Sequence, residues 1–97
     1  MTKSDLARIL RIVGEENRLE MLCLLFKFEK LCVSDIASKL ELSMATASHH
    51  LNVLESAGVL YNLREGKEMF YSPTRADVVQ DLKELICSNT KLKLNNY

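Results

Sequence analysis

Three cysteines and two adjacent histidines are the residues of this sequence whose types could do chemistry. Cys23 and Cys87 lie in apolar segments with helical spacing, and Cys32 precedes a third such segment. One thiolate can attack an oxidised sulfur donor, and a second can convert the product into a disulfide or polysulfide bridge. Thiolates also bind soft metal ions. Since cysteine is often only a small buried apolar side chain, plain core packing stays open for both Cys23 and Cys87.

The composition excludes several classes of protein. The cysteine count is odd and lacks a framework spacing, which argues against a secreted disulfide scaffold. No apolar run approaches the roughly 18 residues of a membrane span, and the N-terminus is polar, so we expect a cytoplasmic protein that contacts no membrane. No phosphate loop, metal-binding histidine helix or nucleophile motif is present, so we expect neither an enzyme nor a cofactor. The 13 basic and 13 acidic residues balance, and composition alone does not indicate nucleic acid.

The spacing of apolar residues predicts the elements that position these groups. A period of three to four residues predicts helices over 6–13, 19–26 and 33–40, and Ser43 is expected to cap a fourth helix that Gly58 ends. The period then changes to two, with a turn at 65–66, which predicts a β-hairpin. Thr74 is expected to cap a last helix, and residues 91–97 are expected to fray. The predicted fold is one mainly α domain over 1–97 with a hairpin (α+β), in the order helix, helix, short helix, helix, hairpin, helix.

The segment 33–57 has the pattern of a helix-turn-helix. The break at 41–43 is so short that the helices on either side of it must cross steeply. The second helix, about 43–57, carries small or hydrogen-bonding residues on its outer face and contains no Lys or Arg. A helix that enters a DNA major groove needs such slim donors and acceptors. The hairpin, about 59–72, places Arg64 and Lys67 near its tip, where a wing meets phosphates or the minor groove.

The run from Leu42 to Leu60, together with the segments 64–67 and 70–72, resembles the ArsR/SmtB family of winged-helix repressors. Segments 16–19 and 32–37 extend the resemblance over nearly the whole chain. It implies a winged helix-turn-helix homodimer, formed through the first and last helices, that binds an inverted-repeat operator in double-stranded DNA and is released by an inducer. It also implies the residues that face DNA. In the helix-turn-helix and the wing these are Ser43, Met44, Thr46, Ser48, His49, Asn52, Arg64 and Lys67.

The same resemblance separates the two histidines and tests the known sensor sites. His50 matches a half-buried position that packs beside Leu51, whereas His49 points outward. The last helix contains no histidine, so the family's zinc site is absent. Its Cys-x-Cys site for arsenite and heavy metals is interrupted, because Ser34 stands where the second cysteine would be.

Cys23 and Cys87 resemble in position the paired cysteines of the BigR/SqrR-type persulfide sensors. Reactive sulfur species are therefore the preferred inducer, and Lys83, one turn before Cys87, would favour its thiolate. A soft metal or metalloid bound by Cys32 with Cys23 or Cys87 is an alternative inducer. A further alternative is a winged-helix module that senses nothing and binds protein. This alternative stays open because segment 32–58 contains one basic residue, Lys39, and three carboxylates. For the same reason, binding to non-specific DNA is expected to be weak.

Overall fold

The computed structural model describes residues 1–88 and contains five helices and a three-stranded sheet. The predicted tail, 91–97, lies outside the described residues. The elements, in chain order, are α1 (Lys3–Val13), α2 (Glu16–Phe28), β1 (Leu31–Cys32), α3 (Val33–Leu40), α4 (Met44–Ser56), β2 (Leu60–Glu65), β3 (Glu68–Pro73) and α5 (Asp77–Cys87). The predicted order of helices and hairpin is confirmed, with β1 as an addition.

The helix-turn-helix, α3 and α4, begins and ends where local chemistry dictates. Ser43 caps α4, accepting a hydrogen bond from the Thr46 backbone N–H at 3.1 Å. Gly58 follows α4 with φ 80°, and the next N–H, that of Val59, donates to the Leu54 carbonyl. Glu41 ends α3 with φ 56°, a left-handed conformation that disfavours any side chain with a Cβ. The three residues between α3 and α4 thereby reverse the chain tightly.

The hairpin corrects two details of the sequence prediction. Glu65 pairs with Glu68, so the turn is Gly66 and Lys67 rather than 65–66, with Gly66 at φ 64°. Thr74 does not cap the last helix: its hydroxyl donates to the Gly58 carbonyl at 2.8 Å, and α5 has no side-chain cap. Thr74 instead joins the end of the hairpin to the end of α4.

The sheet has the order β1-β3-β2 and is antiparallel throughout. The short strand β1 pairs Leu31 with Tyr71 and Cys32 with Phe70. It therefore fastens the hairpin to the segment just before α3, so that α3, α4 and the hairpin hold a fixed relation to one another.

Helix α2 is the centre of the core. Its residues 21–26 are all buried, because α1, α3, α4, α5 and β3 pack around it. The largest fully buried side chains are Met21, Leu22, Leu24, Leu25, Ile36, Leu51, Leu54, Leu60, Val59 and Val79. No helix within residues 1–88 is long and apolar enough to cross a membrane.

Candidate nucleic-acid interface and thiols

The outer face of α4 is a row of exposed small and polar side chains. Ala47, Leu51 and Leu54 are fully buried and fix the helix against the core. Opposite them stand Ala45, His49, Asn52 and Ser56, all exposed. Of the residues predicted to face DNA, Ser43, Met44 and Thr46 are also exposed and lie at the N-terminal end, whereas Ser48 is half-buried. The N-terminal end of α4 can therefore enter a DNA groove, because no bulky charged side chain projects from it.

The hairpin presents one of its two predicted cations on the same side as α4. Asn62 donates a hydrogen bond to the Glu55 carboxylate of α4, which fixes the side of the ribbon that faces the helix. Since side chains alternate along a strand, Arg64 lies on that side too. Lys67 is exposed in the turn. Arg64 thus projects from the face of the hairpin that is next to α4, and Lys67 lies at the tip.

One predicted DNA contact, Asn52, is already engaged within the protein. The Tyr71 hydroxyl of β3 donates to Asn52 Oδ1 at 2.9 Å. Tyr71 is buried, and this desolvation raises the pKa of its phenol, with a smaller contribution from the Glu55 carboxylate. The hydroxyl therefore stays protonated as a donor, and the amide of Asn52 is oriented by the wing.

A polar cluster behind α4, formed by Glu15, Arg18 and His50, was not predicted from the sequence. Arg18 donates from Nη1 to the Ile12 carbonyl at 2.9 Å and from Nε to His50 Nδ1 at 3.2 Å. It thereby joins the end of α1, the start of α2 and the middle of α4. His50 is half-buried and hydrogen-bonded, as the resemblance implied. Arg18 is one of several polar residues in the first turns of α2, so no signal in the sequence singled out this cluster.

Glu15 completes the cluster as the N-cap of α2. Its carboxylate accepts the Arg18 backbone N–H at 3.1 Å and lies 3.7 Å from His50 Nδ1. Partial burial would by itself raise the pKa of this carboxyl. Hydrogen bonds from the Asn17 and Arg18 backbone, with the nearby charges of His50 and Arg18, outweigh burial and leave the pKa below its ordinary value.

The three thiols lie in different surroundings, and none forms a disulfide within residues 1–88. Cys23 of α2 is buried, whereas Cys87, at the end of α5, is exposed. Cys32 is buried in β1, with Sγ 3.2 Å from Ser34 Oγ. Within residues 1–88 no three His, Cys, Asp or Glu side chains are grouped so that they could hold a metal ion.

Comparisons with known proteins identify the fold. Residues 15–62, which contain α2, α3, α4 and the start of the hairpin, match the family model described as bacterial regulatory protein, arsR family. The arsenical resistance operon repressor of Staphylococcus aureus is 30% identical over 99 residues, a match that covers 99% of this chain and 94% of that protein. The chain belongs to the ArsR family. HlyU from Vibrio cholerae N16961 has a similar structure, with a TM-score of 0.81 and 30% identity over 91% of this chain and 96% of that one.

Another relative is more similar in sequence but matches over only part of each chain. The cadmium resistance transcriptional regulatory protein CadC of Listeria innocua is 43% identical over 61 residues, which is 63% of this chain and 51% of CadC. The chain thus spans about half the length of such relatives. The fold is a winged helix-turn-helix. The proteins that share this fold and resemble the chain in sequence are transcription regulators rather than enzymes.

Proposed function

We propose that this ArsR-family protein is a homodimeric repressor that binds an inverted-repeat operator through α4 and the hairpin. The observation that carries the proposal is the outer face of α4, whose exposed side chains are small or polar and include no Lys or Arg. Beside it lies the hairpin, with Arg64 on the face of the ribbon that is next to α4. The N-terminal residues of α4 would contact base edges, while Arg64 and Lys67 would contact phosphates.

A dimer is supported by apolar side chains that the single chain leaves in solvent. Leu6 and Leu10 of α1 are 39% and 49% exposed, and Leu85 of α5 is 62% exposed. Leu6 and Leu10 lie one turn apart on the same face of α1, and adjacent exposed apolar side chains of this kind are typical of a surface that binds a partner. A second copy that packed α1 and α5 against the same helices would bury them and place two copies of α4 for the two operator half-sites.

Binding of the protein to DNA upstream of its own gene tests the operator proposal. We expect Thr46→Ala and His49→Ala each to weaken specific binding by roughly fivefold to a hundredfold, the range for one good base contact. Ser56→Ala, at the far end of the same exposed row, is the matched control and should bind normally. Equal losses for all three variants, or none, would contradict the assignment of the N-terminal end of α4 to the groove.

The proposed inducer is a reactive sulfur species that acts at Cys23 and Cys87. Helix α2 packs against α5, and the two thiols differ in access, which suits a two-step reaction. The exposed Cys87 thiolate attacks the terminal sulfur of a persulfide RS–SH, giving Cys87–S–SH and releasing RS⁻. The Cys23 thiolate then attacks the inner sulfur, forming a Cys23–Cys87 disulfide and releasing HS⁻. The two thiols are oxidised by two electrons and the donor sulfur is reduced to sulfide.

Mass spectrometry after exposure to a persulfide donor, with promoter binding measured alongside, tests this switch. We expect a covalent link between peptides containing Cys23 and Cys87, together with loss of DNA. Cys23→Ser and Cys87→Ser should abolish both effects, and Cys32→Ser is the matched control that should preserve them. Release that persists in Cys23→Ser or Cys87→Ser would refute the switch. Arsenite bound without a bridge, and lost in Cys32→Ser, would favour the soft-metal alternative.

A further inference from the structure

A cleft on the side of the hairpin that faces away from α4 is separate from the proposed DNA-binding surface. It has a volume of about 620 Å³ and lies between the end of α2, the base of the hairpin and the first turns of α5. Tyr61 and Ser72 pair across the hairpin and line the cleft, whereas Asn62 and Tyr71, one position along, turn toward α4. The cleft therefore touches the base of the wing from behind.

Cations predominate in the charge of this cleft. Lys30, Arg75 and Lys83 line it, with Glu29 as the opposing carboxylate. Lys30 is already paired with Glu65 and lies over the Phe70 ring. Arg75 and Lys83 are exposed, and neither side chain makes an ion pair or hydrogen bond with any residue of the described range 1–88. Two cations whose side chains form no ion pair within residues 1–88 thus line one cleft, in which Glu29 is the one carboxylate.

The remaining lining suits a ligand with an apolar body. Phe26 of α2, which is 6% exposed, and the half-buried Pro73 at the end of β3 contribute apolar surface. Gln80, one turn before Lys83 on the same face of α5, adds an amide that can donate or accept a hydrogen bond. Concave sites that combine apolar walls with a few convergent polar groups are the usual form of small-molecule sites.

We propose that this cleft binds a small organic anion, whose acidic group pairs with Arg75 and Lys83 and whose apolar part packs beside Phe26 and Pro73. Such a ligand would connect α5 to the base of the hairpin, because Lys83 and Tyr61 line the same cleft. Ligand binding does not depend on the proposed repressor function. The expected consequence of binding is a change in the angle between the hairpin and α5, which alters operator affinity. This consequence does rest on the proposed repressor function.

Titration of the ¹⁵N-labelled full chain with benzoate, followed by amide chemical shifts, tests the site. Benzamide and benzylamine have the same ring without the negative charge, and inorganic phosphate has charge without the ring. We expect saturable shifts with benzoate at Tyr61, Thr74, Gln80 and their neighbours, and weaker or absent saturation with the other three probes. Shifts of equal size with benzamide would show that the cations do not select the ligand, which would overturn the proposal, as would the absence of saturation with benzoate.

Charge variants test which groups hold the anion. Arg75→Gln and Lys83→Gln should each weaken benzoate binding roughly fivefold, the order expected for losing one opposite charge at contact distance in water. Lys27→Gln removes an exposed cation of α2 that does not line the cleft and should leave the affinity unchanged. Equal effects of all three would mean that net charge, not the site, attracts the anion. Benzoate binding that leaves promoter affinity unaltered would retain the site and refute its coupling to the wing.

Discussion

The hydrogen bond from Tyr71 to Asn52 links the wing directly to α4, and its removal has a defined cost. Tyr71→Phe deletes the donor and keeps the ring, which is 4% exposed. Asn52 is exposed and regains water, so no buried polar group is left unsatisfied. We therefore expect a loss of about 1 kcal/mol in the free energy of unfolding, the net value of a neutral hydrogen bond. In a domain of this size that corresponds to a Tm roughly 4–8 °C lower.

A double-mutant cycle isolates this bond from other effects of the substitutions. Urea unfolding of the wild type, Tyr71→Phe, Asn52→Ala and the double variant, at one protein concentration, gives their coupling energy. We expect a coupling of about 1 kcal/mol, because either single change already abolishes the bond. Additive losses, within about 0.3–0.5 kcal/mol, would refute the reasoning that the hydroxyl and the amide interact in solution.

The alkaline side of the stability profile provides a second readout of the same bond. Desolvation raises the folded-state pKa of Tyr71 above its ordinary value of 10.0, with help from the Glu55 carboxylate. The unfolded chain therefore loses this proton first as the pH rises. The stabilisation is complete below the unfolded pKa and is lost as the pH rises through the folded one. Tyr71→Phe should flatten the fall in stability above pH 10, and an unchanged alkaline limb would contradict this role of the hydroxyl.

Four further substitutions follow from backbone conformation and from the polar cluster. Glu41→Gly should stabilise the protein by about 1 kcal/mol in urea unfolding, because φ at this residue is 56°. Gly58→Ala, at φ 80°, should destabilise it by a similar amount. A destabilising Glu41→Gly or a stabilising Gly58→Ala would contradict the left-handed conformation of these residues. Arg18→Met should cost roughly 2 kcal/mol, since it leaves the Ile12 carbonyl and His50 without their donor, and wild-type stability would refute that role. The pKa of the Glu15 carboxyl is lowered in the folded protein, so its contribution to stability is complete above the unfolded pKa and is lost as the pH falls through the folded pKa. Glu15→Gln should therefore reduce the loss of stability below pH 4.5. An unchanged fall in stability at acid pH would contradict this role of Glu15.

The helices and the helix-turn-helix were predictable because their determinants are local. The bonds that Ser43 and Gly58 bring about span three to five residues, and the apolar spacing of α4 selects its buried face without tertiary information. The family resemblance correctly separated His50 from His49 as well. Each of these features depends on a short run of chain.

The features that the sequence did not predict depend on distant partners. Strand β1 has two residues and exists only because Leu31 meets Tyr71, 40 residues later. The hydroxyl of Thr74, a good helix cap by residue type, is taken by the carbonyl of Gly58. Arg18 bonds His50 across 32 residues. Such pairings follow from packing, so periodicity and residue propensity cannot supply them.

Salt dependence of promoter binding tests the central claim, that α4 and the wing bind DNA, most directly. Log affinity against log salt concentration should have a steep negative slope in the wild type. Arg64→Gln with Lys67→Gln removes two cations per protomer and four per dimer, so the slope should become shallower by roughly 3–4. Lys27→Gln should leave it unchanged. Binding with no salt dependence, or a slope unaffected by the double change, would contradict the claim and favour a module that binds protein.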